Sequence, residues 1–238
     1  MVSFIIPAFN EELLLGSTLC ALSDTACASG HPFEVVVVDD GSTDRTATIA
    51  REHGARVIAV NHRQIAATRN AGARVATGEM LIFVDADTIV TLAAVRAAIE
   101  AMQSGAVGGG CAFRFDGQVP LYGRLMQAIA VPLYRLLGLA SGCFLFCTRE
   151  AFDSSGGFDE RLFGAEEAAM SRTLRCQGRF IVLREDVTTS GRKLRAYSAW
   201  EVMGLLARLA ISGPKSVRQR QGLEFWYGER RVDPGNPG

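Results

Sequence analysis

Histidine is scarce in this sequence. It occurs three times in 238 residues, at His31, His53 and His62. Nothing after residue 62 can therefore offer an imidazole to a metal or to a proton transfer. Cysteine occurs six times, with neither a C-x-x-C pair nor a Cys/His zinc spacing, which excludes a zinc module. Cys143 and Cys147 read as small core residues. No stretch of about 18 uninterrupted apolar residues occurs, so no membrane-spanning helix is expected. The N-terminus has no basic stretch ahead of an apolar core. A signal peptide is not expected, and the cysteines are expected reduced in a cytoplasmic protein.

Net charge is also missing. Lys plus Arg is 25 and Asp plus Glu is 25, against 48% hydrophobic residues. That balance excludes a disordered chain and a nucleic-acid binder that works through bulk positive charge. Acid is absent locally too. From Gly117 through Arg149 there is no Asp or Glu, while Arg124, Arg135 and Arg149 stand among Leu, Ile, Val, Tyr and Phe.

What is present alternates. Val2–Ile6, Phe33–Val38, Arg56–Val60 and Met80–Val84 are short apolar runs. Between them lie stretches with helical spacing, Glu11–Cys27, Asp44–His53 (capped by Ser42 or Thr43) and Ile65–Ala76. Continuous apolar strands separated by helices predict βαβ units and a mostly parallel sheet covered on both faces. The second half is less regular. Strands are expected over Ala106–Phe115, Ser141–Thr148 and Phe180–Val187. Helices are expected over Val119–Leu137 (kinked at Pro132), Glu166–Gln177 and Ala199–Ile211, before a frayed polar tail from Gly213.

In such sheets ligands gather at the carboxyl ends of the strands. Three polar clusters stand there: Pro7-Ala8-Phe9-Asn10-Glu11, Asp39-Asp40-Gly41-Ser42 and Asp85-Ala86-Asp87. Asp and Asn also make turns and caps. The pair Asp85 and Asp87 is less easily explained that way, because adjacent carboxylates repel unless a cation or proton lies between them.

Taken in order, these segments resemble the family 2 glycosyltransferases, which have the GT-A fold. The resemblance runs from Val2-Ser3-Phe4-Ile5-Ile6-Pro7-Ala8-Phe9-Asn10-Glu11-Glu12 through Val38-Asp39-Asp40-Gly41-Ser42. It continues through Arg69-Asn70-Ala71-Gly72 and Asp85-Ala86-Asp87 to Gly156-Gly157-Phe158-Asp159-Glu160 and Glu166-Glu167. It covers roughly residues 2–190 and implies a single α/β GT-A domain over 1–212, with a mostly parallel, mixed sheet flanked by helices. Residues 1–104 would form the nucleotide-sugar half, 105–212 the acceptor half and 213–238 a tail.

The resemblance implies a metal-dependent, inverting transfer of a sugar from a nucleotide-diphosphate sugar to an acceptor hydroxyl. Mn²⁺ or Mg²⁺ suits oxygen ligands and offsets the charge of the leaving diphosphate. By resemblance Asp87 is the direct metal ligand, with Asp85 on the ribose or a metal-bound water. Phe9 would pack on the base and Asp40 would accept a hydrogen bond from it. Pro7, Asn10, Glu11 and Asp39 would line the ribose side, and Arg69 and Asn70 would meet the nucleotide sugar. The acidic pair that supplies the general base is usually Glu-Asp; here it is Glu166-Glu167, with Glu167 in the base position and Glu166 as its alternative or as an acceptor-binding group. In the absence of a C-terminal histidine, Arg192 or Lys193 is the candidate cation over the diphosphate.

The acid-free stretch, with Trp200, Leu205, Leu206, Leu209 and Arg208 of the last helix, reads first as a core-facing or homodimer-facing surface. A sharper reading is a peripheral contact with the inner face of a membrane, near a lipid-linked acceptor. Two further functions fit less well. A non-catalytic sugar-nucleotide-binding or scaffold protein would explain the altered acidic pair. A sugar-1-phosphate nucleotidyltransferase would need a Gly-rich, Arg-containing loop where Pro7–Glu11 stands.

Overall fold

The computed structural model describes residues 1–212, 217–228, Arg231 and Asp233. Residues 213–216, 229–230, 232 and 234–238 of the expected tail lie outside the described residues. The first half follows the expected alternation. Strands β1 (Val2–Ala8), β2 (Phe33–Asp40), β3 (Arg56–Val60) and β4 (Met80–Val84) enclose helices α1 (Leu15–Ser29), α2 (Thr46–Glu52) and α3 (Ile65–Val75). β5 (Thr88–Ile89) and α4 (Leu92–Gln103) follow. The second half runs β6 (Gly108–Phe115), α5 (Leu121–Leu137), β7 (Phe144–Thr148), α6 (Arg149–Ser155), α7 (Glu166–Gln177) and β8 (Phe180–Thr189). It ends with α8 (Arg192–Ala196), α9 (Ala199–Ser212) and α10 (Glu224–Tyr227).

The strands form one sheet in the order β3-β2-β1-β4-β7-β6-β8-β5. β1, β2, β3 and β4 pair in parallel, as do β6 and β8, whereas β7 runs antiparallel to both β4 and β6. This is the mixed, mostly parallel sheet of a GT-A fold. Every residue of β1 is buried, as a strand covered on both faces requires. Phe4 and Ile6 point to one side, against Leu15, Leu19 and Leu22 of α1 and Val95 and Ile99 of α4. Ile5 points to the other, into a cluster with Val36, Val38, Phe83, Phe152 and Leu174.

Two glycine positions set how closely the layers approach. A Cβ on Gly72 of α3 would stand 2.5 Å from Ile5 and 2.8 Å from Val38, so glycine lets the helix lie flat on β1 and β2. A Cβ on Gly109 of β6 would stand 2.1 Å from the carbonyl oxygen of Ile181 in β8.

Several expected boundaries move. α1 begins at Leu15 rather than Glu11, because Glu11–Leu14 turns first and the Leu15 N–H donates to the Glu11 carbonyl at 2.9 Å. Neither Ser42 nor Thr43 caps α2; the Asp44 carboxylate accepts from the Thr46 N–H at 2.9 Å instead. Pro132 sits inside α5 without ending it. The expected frayed tail is partly packed: Leu223 is buried and α10 follows it.

Candidate active site

The carboxyl ends of β1, β2 and β4 open onto a cleft of about 1150 Å³, solvent included. Its floor and near wall carry Pro7, Phe9, Glu11, Asp40, Asp85 and Asp87; the far wall carries Gly142, Glu166 and Glu167. Arg69, Arg192 and Lys193 also line it. Of the residues expected from the sequence, Asn10, Asp39 and Asn70 are outside this lining.

The exceptions have local explanations. Asn10 takes a left-handed backbone, φ 50°, and its side-chain oxygen accepts from the Thr43 N–H at 2.8 Å. Asp39 closes the following turn by accepting from the Ser42 N–H at 3.1 Å. Asn70 is buried and holds the Gly156–Glu160 turn. It donates to the Phe158 carbonyl and to Glu160, each at 2.9 Å, and accepts from the Phe158 N–H at 2.9 Å. These residues shape the loops around the cleft.

Asp40 lines the cleft, but its carboxylate is already engaged. It accepts from the backbone N–H groups of His62 (2.6 Å), Arg63 (2.8 Å) and Gln64 (3.1 Å) and from the Thr68 hydroxyl (2.8 Å). A carboxylate offers about four acceptor sites. Where a base was expected to donate, these four groups of the chain itself donate, and through them Asp40 organises the entry to α3. That entry includes Arg63, which the sequence did not single out. Its backbone is left-handed, φ 52°, and its guanidinium carbon lies 3.5 Å from the centroid of the Phe9 ring, a close cation–π contact.

Arg69 also differs from expectation. It is 2% exposed and contacts carboxylates rather than reaching out for a phosphate. Its guanidinium donates to Asp85 at 2.9 Å, to Glu166 at 2.7 Å and to the Gly142 carbonyl at 2.9 Å. Burial works to lower its pKa, but the charges of Asp85, Glu166 and Glu167 prevail and raise it. It ties one member of the Asp85/Asp87 pair to one member of the Glu166/Glu167 pair.

The two acidic pairs are consequently unequal within themselves. Glu166 is held by Arg69 and buried. Glu167 faces the cleft, and its pKa is raised to about 8, first by desolvation and then by the charge of Glu166, against the pull of Arg69. Both stand in the first turn of α7, where the helix dipole favours negative charge. Ala165 precedes them in a left-handed conformation, φ 58°, uncommon for a residue with a Cβ. On the other wall Asp85 keeps 30% of its side chain exposed to the cleft. Desolvation by the walls, opposed by Arg69 and aided by Asp87, lifts its pKa to about 6.

Asp87 meets Arg192. The Arg192 guanidinium donates to Glu11 at 2.6 Å and to Asp87 at 3.0 Å, and its Nε lies buried without a partner. Arg192 thus stands at the acidic strand ends, on the short helix α8. The donor set of Asp85 and Asp87 is all oxygen, which suits Mg²⁺ or Mn²⁺, ions that take one or two carboxylates and complete their shell with water and phosphate. Among the described residues no group of three or more His, Cys, Asp and Glu converges as a closed metal cage.

The tail contributes as well. Arg220, Trp226, Tyr227 and Gly228 line the cleft, with the Tyr227 ring 5.8 Å from Phe163 at an edge-to-face angle of 75°. The cluster Leu223, Phe225, Trp226 and Tyr227 within a polar segment was the signal that this part packs.

Among solved structures, the fold matches a mannosyltransferase from Pyrobaculum calidifontis in complex with GDP-Man and Mn²⁺. The TM-score is 0.68 at 21% identity, over 92% of this chain and 64% of that one. It also matches glucosyl-3-phosphoglycerate synthase from Mycobacterium tuberculosis in complex with Mn²⁺ and UDP-Glc. There the TM-score is 0.60 at 20% identity, over 91% and 78%. In sequence the chain is 33% identical over 130 residues to validoxylamine A glucosyltransferase of Streptomyces hygroscopicus, covering 50% of this chain and 28% of that protein. It is 42% identical over 96 residues to an undecaprenyl-phosphate 4-deoxy-4-formamido-L-arabinose transferase of Pseudomonas paraeruginosa, covering 37% and 28%. The chain thus aligns with under a third of the length of either relative. The family description that matches residues 3–156 is glycosyl transferase family 2, and the chain belongs to that family.

Proposed function

We propose that the chain is a divalent-metal-dependent, inverting glycosyltransferase that moves a hexose from a nucleotide-diphosphate sugar to an acceptor hydroxyl. The observation that carries this reading is the pairing of two acidic groups across one cleft. Asp85 and Asp87 lie on the wall formed by the strand ends, and Glu167 on the wall formed by α7. One wall suits a cation and a diphosphate, the other an incoming nucleophile.

Asp87 and Asp85 would hold Mn²⁺ or Mg²⁺, and a bound ion supplies Lewis-acid charge to the leaving diphosphate. Phe9 and Pro7 form an apolar seat for the base, with Arg63 against the Phe9 ring. Glu11 lies on the ribose side. Arg192 and Lys193 are cations of the cleft on the C-terminal side, along with Arg220, and would offset charge on the leaving group. Glu167 takes the acceptor proton, a role that needs a pKa near the working pH, and its desolvated position provides one. Glu166 is not the base in this reading, because Arg69 holds it as a charged partner. Arg69 positions the base wall against the metal wall.

The acceptor is taken to be lipid-linked, with the chain peripheral to the inner face of a membrane. The undecaprenyl-phosphate transferase among the relatives supports this reading. The test is thermal unfolding with UDP-, GDP-, dTDP- and CDP-sugars, with and without Mn²⁺, followed by transfer assays with the stabilising donor. Ligand at 100 times its Kd should add about 2.7 kcal/mol. A chain that no donor stabilises with the metal, or that binds donor but does not turn over with any acceptor, would overturn the reading.

A further inference from the structure

Helix α5 is amphipathic in the wrong sense for a core helix. Of its 17 residues only Gly123 is buried. Leu121, Leu125, Ile129, Leu133 and Leu136 are 69%, 56%, 68%, 44% and 82% exposed. At about 100° per residue these five side chains fall within an arc of about 120°. The opposite side of the helix makes the contacts with the body. There Gly123 packs against Leu194, Gln127 donates to the Phe113 carbonyl at 3.1 Å, and Tyr134 lies 6.3 Å from the Phe113 ring. Contiguous exposed apolar patches of this kind mark interaction surfaces on otherwise polar proteins.

On α5 itself the charges beside the stripe have one sign, and the nearby Asp186 is paired with Arg114. Arg124 and Arg135 flank the stripe on the same edge and are exposed, and the whole segment 117–149 lacks acid. A copy of this chain would bring its own arginines against these; an anionic bilayer surface offers both the apolar depth and the opposite charge. Trp200 and Met203 of α9 extend the apolar exposure, at 87% and 56%. The Tyr122 hydroxyl of α5 reaches the carbonyls of Leu194 and Tyr197 at 2.5 and 2.9 Å, which sets the start of α9 beside the first turn of α5.

The same helix is joined to the cleft at both ends. Through Tyr122 it holds α8, which carries Arg192 and Lys193 into the cleft. Beyond Gly138 the chain reaches the cleft lining at Gly142.

We infer that the outer face of α5, with Trp200 beside it, docks the protein on an anionic lipid surface. The helix lies in the interface plane with the cleft mouth near the headgroups. Only the purpose of this docking, delivery of a lipid-linked acceptor, rests on the proposed transfer; the docking itself does not.

Vesicle flotation tests it. The full chain is incubated with phosphatidylglycerol-containing vesicles or with pure phosphatidylcholine vesicles, at low and high salt. The expected result is binding to the anionic vesicles at low salt, weakened by high salt. The double variant Leu125→Glu/Ile129→Glu should lower the bound-to-free ratio by roughly tenfold or more, as should Arg124→Glu/Arg135→Glu to a lesser degree. Both variants should keep the wild-type melting temperature and nucleotide-sugar binding, because none of the four side chains lines the cleft. Three results overturn the inference. One is no binding to anionic vesicles at low salt. Another is binding that Leu125→Glu/Ile129→Glu leaves unchanged. The third is light scattering that shows a dimer broken by that variant while vesicles are ignored, which would assign the face to a second copy. Failure of donor binding with vesicle binding intact would instead count against the proposed transfer.

Discussion

Arg69 offers the sharpest test of how the cleft is held together. Replacing it with methionine keeps much of the volume and removes the charge. The guanidinium is 2% exposed and contacts Asp85 at 2.9 Å and Glu166 at 2.7 Å. Removing one partner of a buried pair costs about 3–5 kcal/mol, because the other charge is left without compensation. Asp85 is 30% exposed and can recover water, whereas the Glu166 side chain is 6% exposed and cannot. The lower end of the range, about 3 kcal/mol, is therefore expected. With a urea slope of about 1–3 kcal/mol/M, the midpoint should fall by about 1–3 M. The pH dependence gives an independent check. Without Arg69 the native pKa values of Glu167 and Asp85, already raised, rise further above their unfolded values. The native variant then binds more protons than the unfolded chain, so its deficit is full at alkaline pH and shrinks as pH falls and these groups protonate. Urea unfolding at pH 5, 7 and 9 reads this directly. A deficit below about 1 kcal/mol at pH 9, or one that grows toward pH 5, would refute the bridging role.

Other predictions follow from single contacts. Glu167→Gln should abolish transfer while donor binding persists. Since the native Glu167 pKa is raised to about 8, ionising it costs native stability between the unfolded value and that pH. The glutamine variant should therefore match wild type near pH 4 and exceed it at pH 9 in thermal unfolding, and wild-type transfer should rise with pH through about 8. Asp87→Ala should remove Mn²⁺-dependent stabilisation by the donor, read by thermal shift; retention of that shift would move the metal elsewhere. Gly72→Ala forces a Cβ to 2.5 Å from Ile5 and should cost about 1–3 kcal/mol, measured by urea unfolding. Asn70→Ala leaves the Phe158 backbone groups unpaired and should cost about 1–3 kcal/mol, with faster proteolysis at the Gly156–Glu160 turn.

Local pattern carried the reading of the elements. The period of apolar residues is a record of burial, so β3, β4 and the limits of α7 could be read residue by residue. The site was legible as a set of residue types at strand ends, and Pro7, Phe9, Glu11, Asp85, Asp87, Glu166, Glu167 and Arg192 do share one cleft. What the sequence could not show was pairing. Arg69 was expected to meet the nucleotide sugar, since the carboxylates that hold it lie 16 and 97 residues away in sequence. Asp40 looked free for a base because its four donors come from a loop and the first turn of α3, 22 to 28 residues downstream. Arg63 carries no motif at all; a left-handed backbone in a polar link puts it on Phe9. The packed part of the tail was missed because its aromatic cluster is flanked by polar residues that read as solvent-exposed.

The placement of β8 between β6 and β5 bears on how the molecule is made. Thr88 and Ile89 wait about a hundred residues for their partners Thr189 and Thr188, and β6 pairs with β8 only after α5, β7, α6 and α7 have been synthesised. Arg192 reaches back 181 residues to Glu11 and 105 to Asp87. Closing such distances slows folding, because loop entropy is spent before the contacts form. During synthesis the parallel half β1–β4 can assemble early, while one edge of the sheet and the acidic strand ends stay open until the segment from Phe180 to Arg192 arrives. A chain stopped before Phe180 should expose β6 as an unpaired edge and aggregate, so the cation that closes the acidic cluster belongs to the segment that completes the sheet.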